Sequence, residues 1–134
     1  MANVRDIEGI GDAYAVKLEA AGITTLADLL AAGGAKKGRE EIAAKTGISE
    51  KLVLEWVNRA DLDRIKGVGS EYADLLEFSG VDSVPELAQR NAANLHAKMK
   101  EVNDAKSLVR QLPSEAQVAS WIDHAKTLDR AVTH

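Results

Sequence analysis

Apolar residues recur three and four positions apart along nearly the whole chain, and the strict alternation of a half-buried strand is absent. Leu95, Met99, Val102, Ala105 and Val109 fall on one face of a helix predicted over roughly residues 93–111, and a shorter helix is predicted at about 36–46. β-Branched residues rarely cluster. The pattern predicts an all-α fold.

The same pattern occurs twice. Residues 7–31 read IEGIGDAYAVKLEAAGITTLADLLA and residues 65–89 read IKGVGSEYADLLEFSGVDSVPELAQ. At a constant offset of 58, Ile7/Ile65, Gly9/Gly67, Gly11/Gly69, Tyr14/Tyr72, Leu18/Leu76 and Gly22/Gly80 coincide. Each copy sets Gly–apolar–Gly between an apolar residue and a short helical pattern, the signature of a helix-hairpin-helix. Gly22 and Gly80 stand where a helix ends on a left-handed residue. Three residues on, Thr25 with Asp28 and Ser83 with Glu86 have capping-box spacing, and Pro85 lies in the first turn of the next helix.

Beyond residue 31 the copies diverge, the first through a break at Gly33-Gly34, the second through the longer helix. They reconverge with seven extra residues in the second: Ser49 matches Ser114, Val53 matches Val118, and Trp56 matches Trp121. Both tryptophans sit at helical spacing from apolar neighbours and are expected in a core. A short helix around 61–64 is expected to feed the second hairpin. The reading is two homologous helix-hairpin-helix (SAM-domain-like) units of four to five short helices each, residues 1–62 and 63–134, docked into one compact body.

Composition narrows the function classes. With 46% apolar residues and few aromatics, the core must be built from Leu, Ile, Val and Ala. There is no cysteine, which excludes disulfides, zinc-thiolate sites and thiol chemistry. No apolar run approaches the ~20 residues of a membrane span, and no secretory pattern precedes Val4, so a cytoplasmic protein without a membrane partner is expected. The net charge is −4, with each half at −2. Neither half is a basic module of the kind that neutralises nucleic-acid phosphates.

The hairpins carry the main candidate chemistry. N–H groups after the second glycine stand at a helix N-terminus and favour an anion. In the first hairpin (Gly9, Ile10, Gly11) Asp12 follows directly, and is expected to cap the helix and take the place a phosphate needs. Lys17 lies a turn and a half beyond Gly11. The second hairpin (Lys66, Gly67, Val68, Gly69, Ser70) carries a lysine and is the better anion site, with Lys98 or Lys100 as support if they lie nearby. The competing reading makes both hairpins structural corners.

Residues 40–59 have the spacing of a helix-turn-helix core in Ile42, Ala43, Gly47, Ile48, Val53 and Trp56. Its second helix would expose Glu50, Lys51, Glu55, Asn58 and Arg59, a mixed surface that reads better as a structural corner than as a major-groove reader. Lys36, Lys37 and Arg39 form a small basic cluster, read as a mobile anion contact or as a solvated helix start. His96, His124 and His134 lack metal-ligand spacing, and no Walker loop, dinucleotide fingerprint or nucleophile–base set occurs. Tyr14, Tyr72, His96, Glu19 and Glu77 could line an enzyme pocket but are better explained as structure. No catalytic residue, metal or cofactor is expected.

The runs IEGIG, KTGISEKLVLEWVNRADL, RIKGVG, EYADLLE, ELAQRN and LPS resemble a bacterial family of small two-unit helix-hairpin-helix proteins, catalogued as a domain of unknown function. The resemblance covers nearly the whole chain and implies the fold without supplying a function. More distantly, the stretch from the first hairpin to AGITTLADLL is similar to the DNA-binding C-terminal domain of the RNA polymerase alpha subunit. The first expectation is a non-catalytic module that makes weak, sequence-independent contact with a DNA or RNA backbone. The alternative is a protein–protein interaction scaffold whose hairpins are only structural. Oligomeric state stays open.

Overall fold

The computed structural model describes residues 3–7 and 9–133, and of Ser70 the backbone. The chain divides into two compact units, Met1–Asp61 with Arg130–His134, and Leu62–Asp129. All regular structure among the described residues is helical, apart from one isolated bridge between Asn3 and Thr25.

The first unit opens with a 3₁₀ turn at Val4–Asp6 and continues through α1 (Asp12–Ala20), α2 (Leu26–Gly33), α3 (Lys36–Thr46) and α4 (Glu50–Leu62), whose last residue, Leu62, belongs to the second unit. Local chemistry sets these limits. α1 ends as foreseen: Gly22 takes φ +85°, its N–H donates to the Glu19 carbonyl, and the Ile23 N–H reaches back to Leu18. Thr25 then caps α2 in a full reciprocal box, its hydroxyl accepting from the Asp28 N–H at 3.0 Å while the Asp28 carboxylate accepts from the Thr25 N–H at 3.1 Å. Those backbone donors, with a further one from Thr24, stabilise the charged carboxylate and hold Asp28 below its ordinary pKa. Leu18, Leu29, Val53, Trp56 and Val57 fill the core, joined by Val132 from the far end of the sequence.

The second unit comprises α5 (Ser70–Phe78), α6 (Val84–Ala88), α7 (Ala92–Lys106) and α8 (Glu115–Thr127). α5 ends like α1, with Gly80 at φ +94° and the Val81 N–H donating to the Leu76 carbonyl. Here only half of the expected box forms. The Ser83 hydroxyl accepts from the Glu86 N–H, whereas the Glu86 carboxylate meets Arg90 at 3.4 Å. Leu76, Leu87, Met99, Val118 and Trp121 build this core.

Three helix expectations need correction. α7 stops at Lys106, not near 111, because Ser107 turns to φ +52° and the Asn103 side chain takes the Val109 N–H at 2.9 Å. Val109 is buried, but from the following loop, and Ala105 is exposed. No separate helix occupies 61–64, since α4 runs unbroken through Leu62 and a turn follows. Asn58 is 9% exposed and so is not on a recognition surface; its Oδ1 is buried without a hydrogen-bond partner.

Candidate functional site

Each glycine turn rests on a buried apolar residue. In the second, Val68 is buried and its N–H closes the turn onto the Ile65 carbonyl at 3.1 Å, with Gly67 at φ +92°. A left-handed residue here avoids a Cβ, and a Cβ would also lie 3.1 Å from the Trp121 indole nitrogen. Gly69 is the N-cap of α5 at φ −96°, ψ −171°, ordinary extended values. A Cβ on it would meet nothing within 4 Å, and among the described residues no side chain caps the helix. Fold and dihedral therefore require glycine at 67 and not at 69. Of the two glycines of the turn, only the first takes a positive φ.

Around this turn, Lys66 is exposed and its backbone N–H donates to His124 Nδ1 at 3.2 Å, which leaves Nε2 as the protonated nitrogen of the neutral ring. Trp121, one turn earlier on α8, is 1% exposed and packs against the Tyr72 ring at 5.3 Å. The Tyr72 hydroxyl donates to the Gln111 carbonyl at 3.2 Å, so the loop bearing exposed Arg110 is tied to the first turn of α5. Lys98 and Lys100 are exposed on α7. Lys98 pairs with Glu101 at 3.7 Å, and among the described residues neither lysine makes a hydrogen bond or ion pair with the 65–70 turn. The Ser70 side chain lies outside the described residues.

The first turn has the same backbone and different surroundings. Gly9 takes φ +96°, Ile10 is buried, and Gly11 is the N-cap of α1 at φ −80°, ψ 177°. Tyr14 and Trp56, the latter 4% exposed, meet edge-on at 5.2 Å. Asp12 does not cap the helix, as had been expected. Its side chain is 97% exposed and pairs with Arg5 at 2.7 Å, and Arg5 also reaches Glu19 at 2.8 Å. The Glu19 hydrogen bond and charge, with a smaller share from Asp12, raise the Arg5 pKa above its ordinary value. Arg5 is thus held by two carboxylates, while Lys17, exposed on α1, lies over the Tyr14 ring at 6.0 Å.

Elsewhere the basic cluster at 36–39 splits. Lys36 and Arg39 line one groove with Glu50, Lys51 and Leu54, but Lys36 is exposed whereas Arg39 is buried, its guanidinium donating to the Gly33, Gly34 and Thr133 carbonyls. Arg39 is neither a solvated helix start nor a mobile contact. His96 meets the Pro113 carbonyl through Nε2 at 2.9 Å. Among the described residues no group of three or more metal-ligating side chains converges, and no helix is long and apolar enough to cross a membrane.

The family model for a domain of unknown function, DUF4332, matches residues 8–128. The chain belongs to the DUF4332 family. No curated protein and no solved structure matches it. Membership spans both glycine turns and the helices that support them, and it attaches no chemistry to them. Sequence reasoning missed Arg5, Arg110, Trp121 and His124 as neighbours of the turns. The recurrence of Trp at an offset of 65 hinted at a shared support, but no spacing in the sequence ties Arg5 to Asp12 and Glu19.

Proposed function

We propose that this DUF4332 chain is a non-catalytic helix-hairpin-helix module, built as two homologous SAM-domain-like units, whose second hairpin makes weak, sequence-independent contact with the phosphate backbone of DNA. The observation that carries the reading is glycine at 69, where neither dihedral nor packing asks for it. A helix N-terminus without a side-chain cap, reached over a residue without a side chain, lets an anion approach the first N–H groups of α5. Lys66, exposed in the same turn, supplies positive charge, and the loop that carries Arg110 is tied to the first turn of α5 through Tyr72.

Binding of this kind is electrostatic. It should weaken with salt by a factor set by the few phosphates neutralised, with a slope of about −0.9 per phosphate on duplex DNA. Fluorescence anisotropy with labelled duplex, single-stranded DNA and RNA at low salt is the test. Binding that is sequence-tolerant and lost at high salt supports the proposal, and no binding at high micromolar protein sinks it. A second reading, a protein–protein scaffold, has its own support in the net charge of −4 and in the two carboxylates that hold Arg5 at the first hairpin. Capture of partners from a nuclease-treated lysate separates the two, because a nucleic-acid-dependent complex disappears on treatment.

A further inference from the structure

The segment Arg130–Thr133 lies in a cleft of the first unit, and every attachment it makes there is of a kind an identical segment would repeat. Val132 is buried in the core of that unit. The Thr133 N–H donates to the Gly34 carbonyl at 2.8 Å, and its own carbonyl accepts from Arg39 at 2.6 Å. The Ala131 carbonyl passes so close over Gly34 that a Cβ there would collide with it. Gly34 is thus the floor of a bed for extended chain, and Arg39 its clamp.

An empty cleft would be costly. Removing the strap leaves a hole where Val132 sat, and takes one of three carbonyl acceptors from a guanidinium that is 5% exposed. The strap is also separated from the remainder of its unit by the whole of Leu62–Asp129. Its approach is short and extended: α8 ends at Thr127, Leu128 has φ −93°, ψ 138°, and Asp129 follows. A cleft that must be filled, and a strap that fits it through main-chain bonds and one apolar side chain, are the ingredients of reciprocal exchange between identical chains.

We infer that the first unit is a docking site for the 130–133 strap of a second copy of this chain, and that two copies exchange straps to form a closed dimer. The competing strap is the chain's own. A short tether gives it an effective concentration of the order of millimolar, so exchange becomes substantial only as protein concentration approaches that range. The inference is independent of the nucleic-acid reading.

The chain has no cysteine, which permits a clean test with full-length protein. Ala35 follows the carbonyl that receives the Thr133 N–H, and both residues are exposed. Two single variants, Ala35→Cys and Thr133→Cys, are mixed at high concentration, incubated and oxidised. A covalent dimer well above that formed by Ala35→Cys with the exposed control Lys126→Cys is the expected result, and light scattering of the unmodified chain should show dimer growing with concentration. The double variant Ala35→Cys/Thr133→Cys reports docking within one chain as a cross-linked monomer. A cross-linked monomer from the double variant, with no excess dimer from the mixed singles, overturns the exchange.

Discussion

Gly69→Ser is expected to make the protein more stable and, if the second hairpin holds a phosphate, a poorer binder. The stability side follows from the backbone. Gly69 is at φ −96°, ψ −171°, which serine adopts freely, and the space a Cβ would enter is empty to 4 Å. Two gains add: a serine N-cap is a few tenths of a kcal/mol better than glycine, and removing glycine from the unfolded chain is worth about 0.4–1 kcal/mol. Their sum, about 1 kcal/mol, corresponds to a melting temperature higher by roughly 3–5 °C for a domain of this size. The binding side has the opposite sign. The new hydroxyl would accept from a first-turn N–H of α5, the donor a phosphate uses, and losing one hydrogen bond to a charged group costs about 1.5–3 kcal/mol, at least tenfold in affinity.

Gly11→Ser is the internal control. Its backbone is as permissive and its surroundings as open, so the stability gain should match. Binding should change little, because Asp12 and Glu19 already hold Arg5 and the proposed phosphate contact is at the other turn. Calorimetry and anisotropy on both variants decide the matter. A Gly69→Ser protein that is stabilised yet binds DNA unchanged would refute the phosphate reading and leave the hairpin a structural corner; a destabilised one would refute the account of the turn itself.

Gly67→Val should cost about 1–2 kcal/mol or more, because a β-branched residue would be forced to φ +92° against the Trp121 indole, and the loss should appear in chemical denaturation whether or not anything binds. Trp121→Ala should cost about 3–5 kcal/mol by the same measurement, since the side chain is 1% exposed and carries the Tyr72 contact. Asp28 binds a proton less readily folded than unfolded, so its contribution is present above the ordinary carboxylate pKa near 4 and fades as pH falls through the lower folded value. Asp28→Asn should therefore flatten the acid limb of melting temperature against pH, and an unchanged limb would show that the capping box plays no part in it. Asp12→Ser, which puts after the second glycine of the first turn the residue type that follows it in the second, should leave stability nearly unchanged, release Arg5 from one of its acids, and steepen the salt dependence of DNA binding.

What could be read from the sequence was what neighbours in sequence decide. The Thr25-x-x-Asp28 box and the left-handed Gly22 and Gly80 follow from residues within one turn of each other, and they stand as foreseen. The burial of Trp56 and Trp121 followed from helical spacing. The end of α7 was missed because it depends on the Asn103 side chain reaching forward to Val109, a bond that competes with helix and leaves no periodic trace. Arg39 was misread for a stronger reason. In sequence it belongs to a basic run, and what buries it includes a carbonyl 94 residues away. At the candidate site, Gly–apolar–Gly marked the turn, while the supports of the second turn, His124 and Trp121, come from a helix more than fifty residues on.

The two turns separate backbone from charge. Gly9 and Gly67 differ by four degrees in φ, at +96° and +92°, and Tyr–Trp pairs stand at 5.2 and 5.3 Å beside them. Buried Ile10 and Val68 fix that geometry from beneath, whereas Asp12, Lys66 and Glu71 are exposed and contribute little to it. Surface chemistry at these turns can therefore change without disturbing the fold. The net charge of −4 is then the wrong quantity for judging an anion site. At physiological salt, charges act over about 8 Å, so the groups that matter are the local ones: Arg5 with its two carboxylates and Lys17 over the Tyr14 ring at the first turn, and exposed Lys66 and Glu71 at the second. On the proposed reading, what separates the two turns is the charged side chains around them, with Arg5 paired to Asp12 and Glu19 at the first and Lys66 exposed at the second, and not the backbone of the turns themselves.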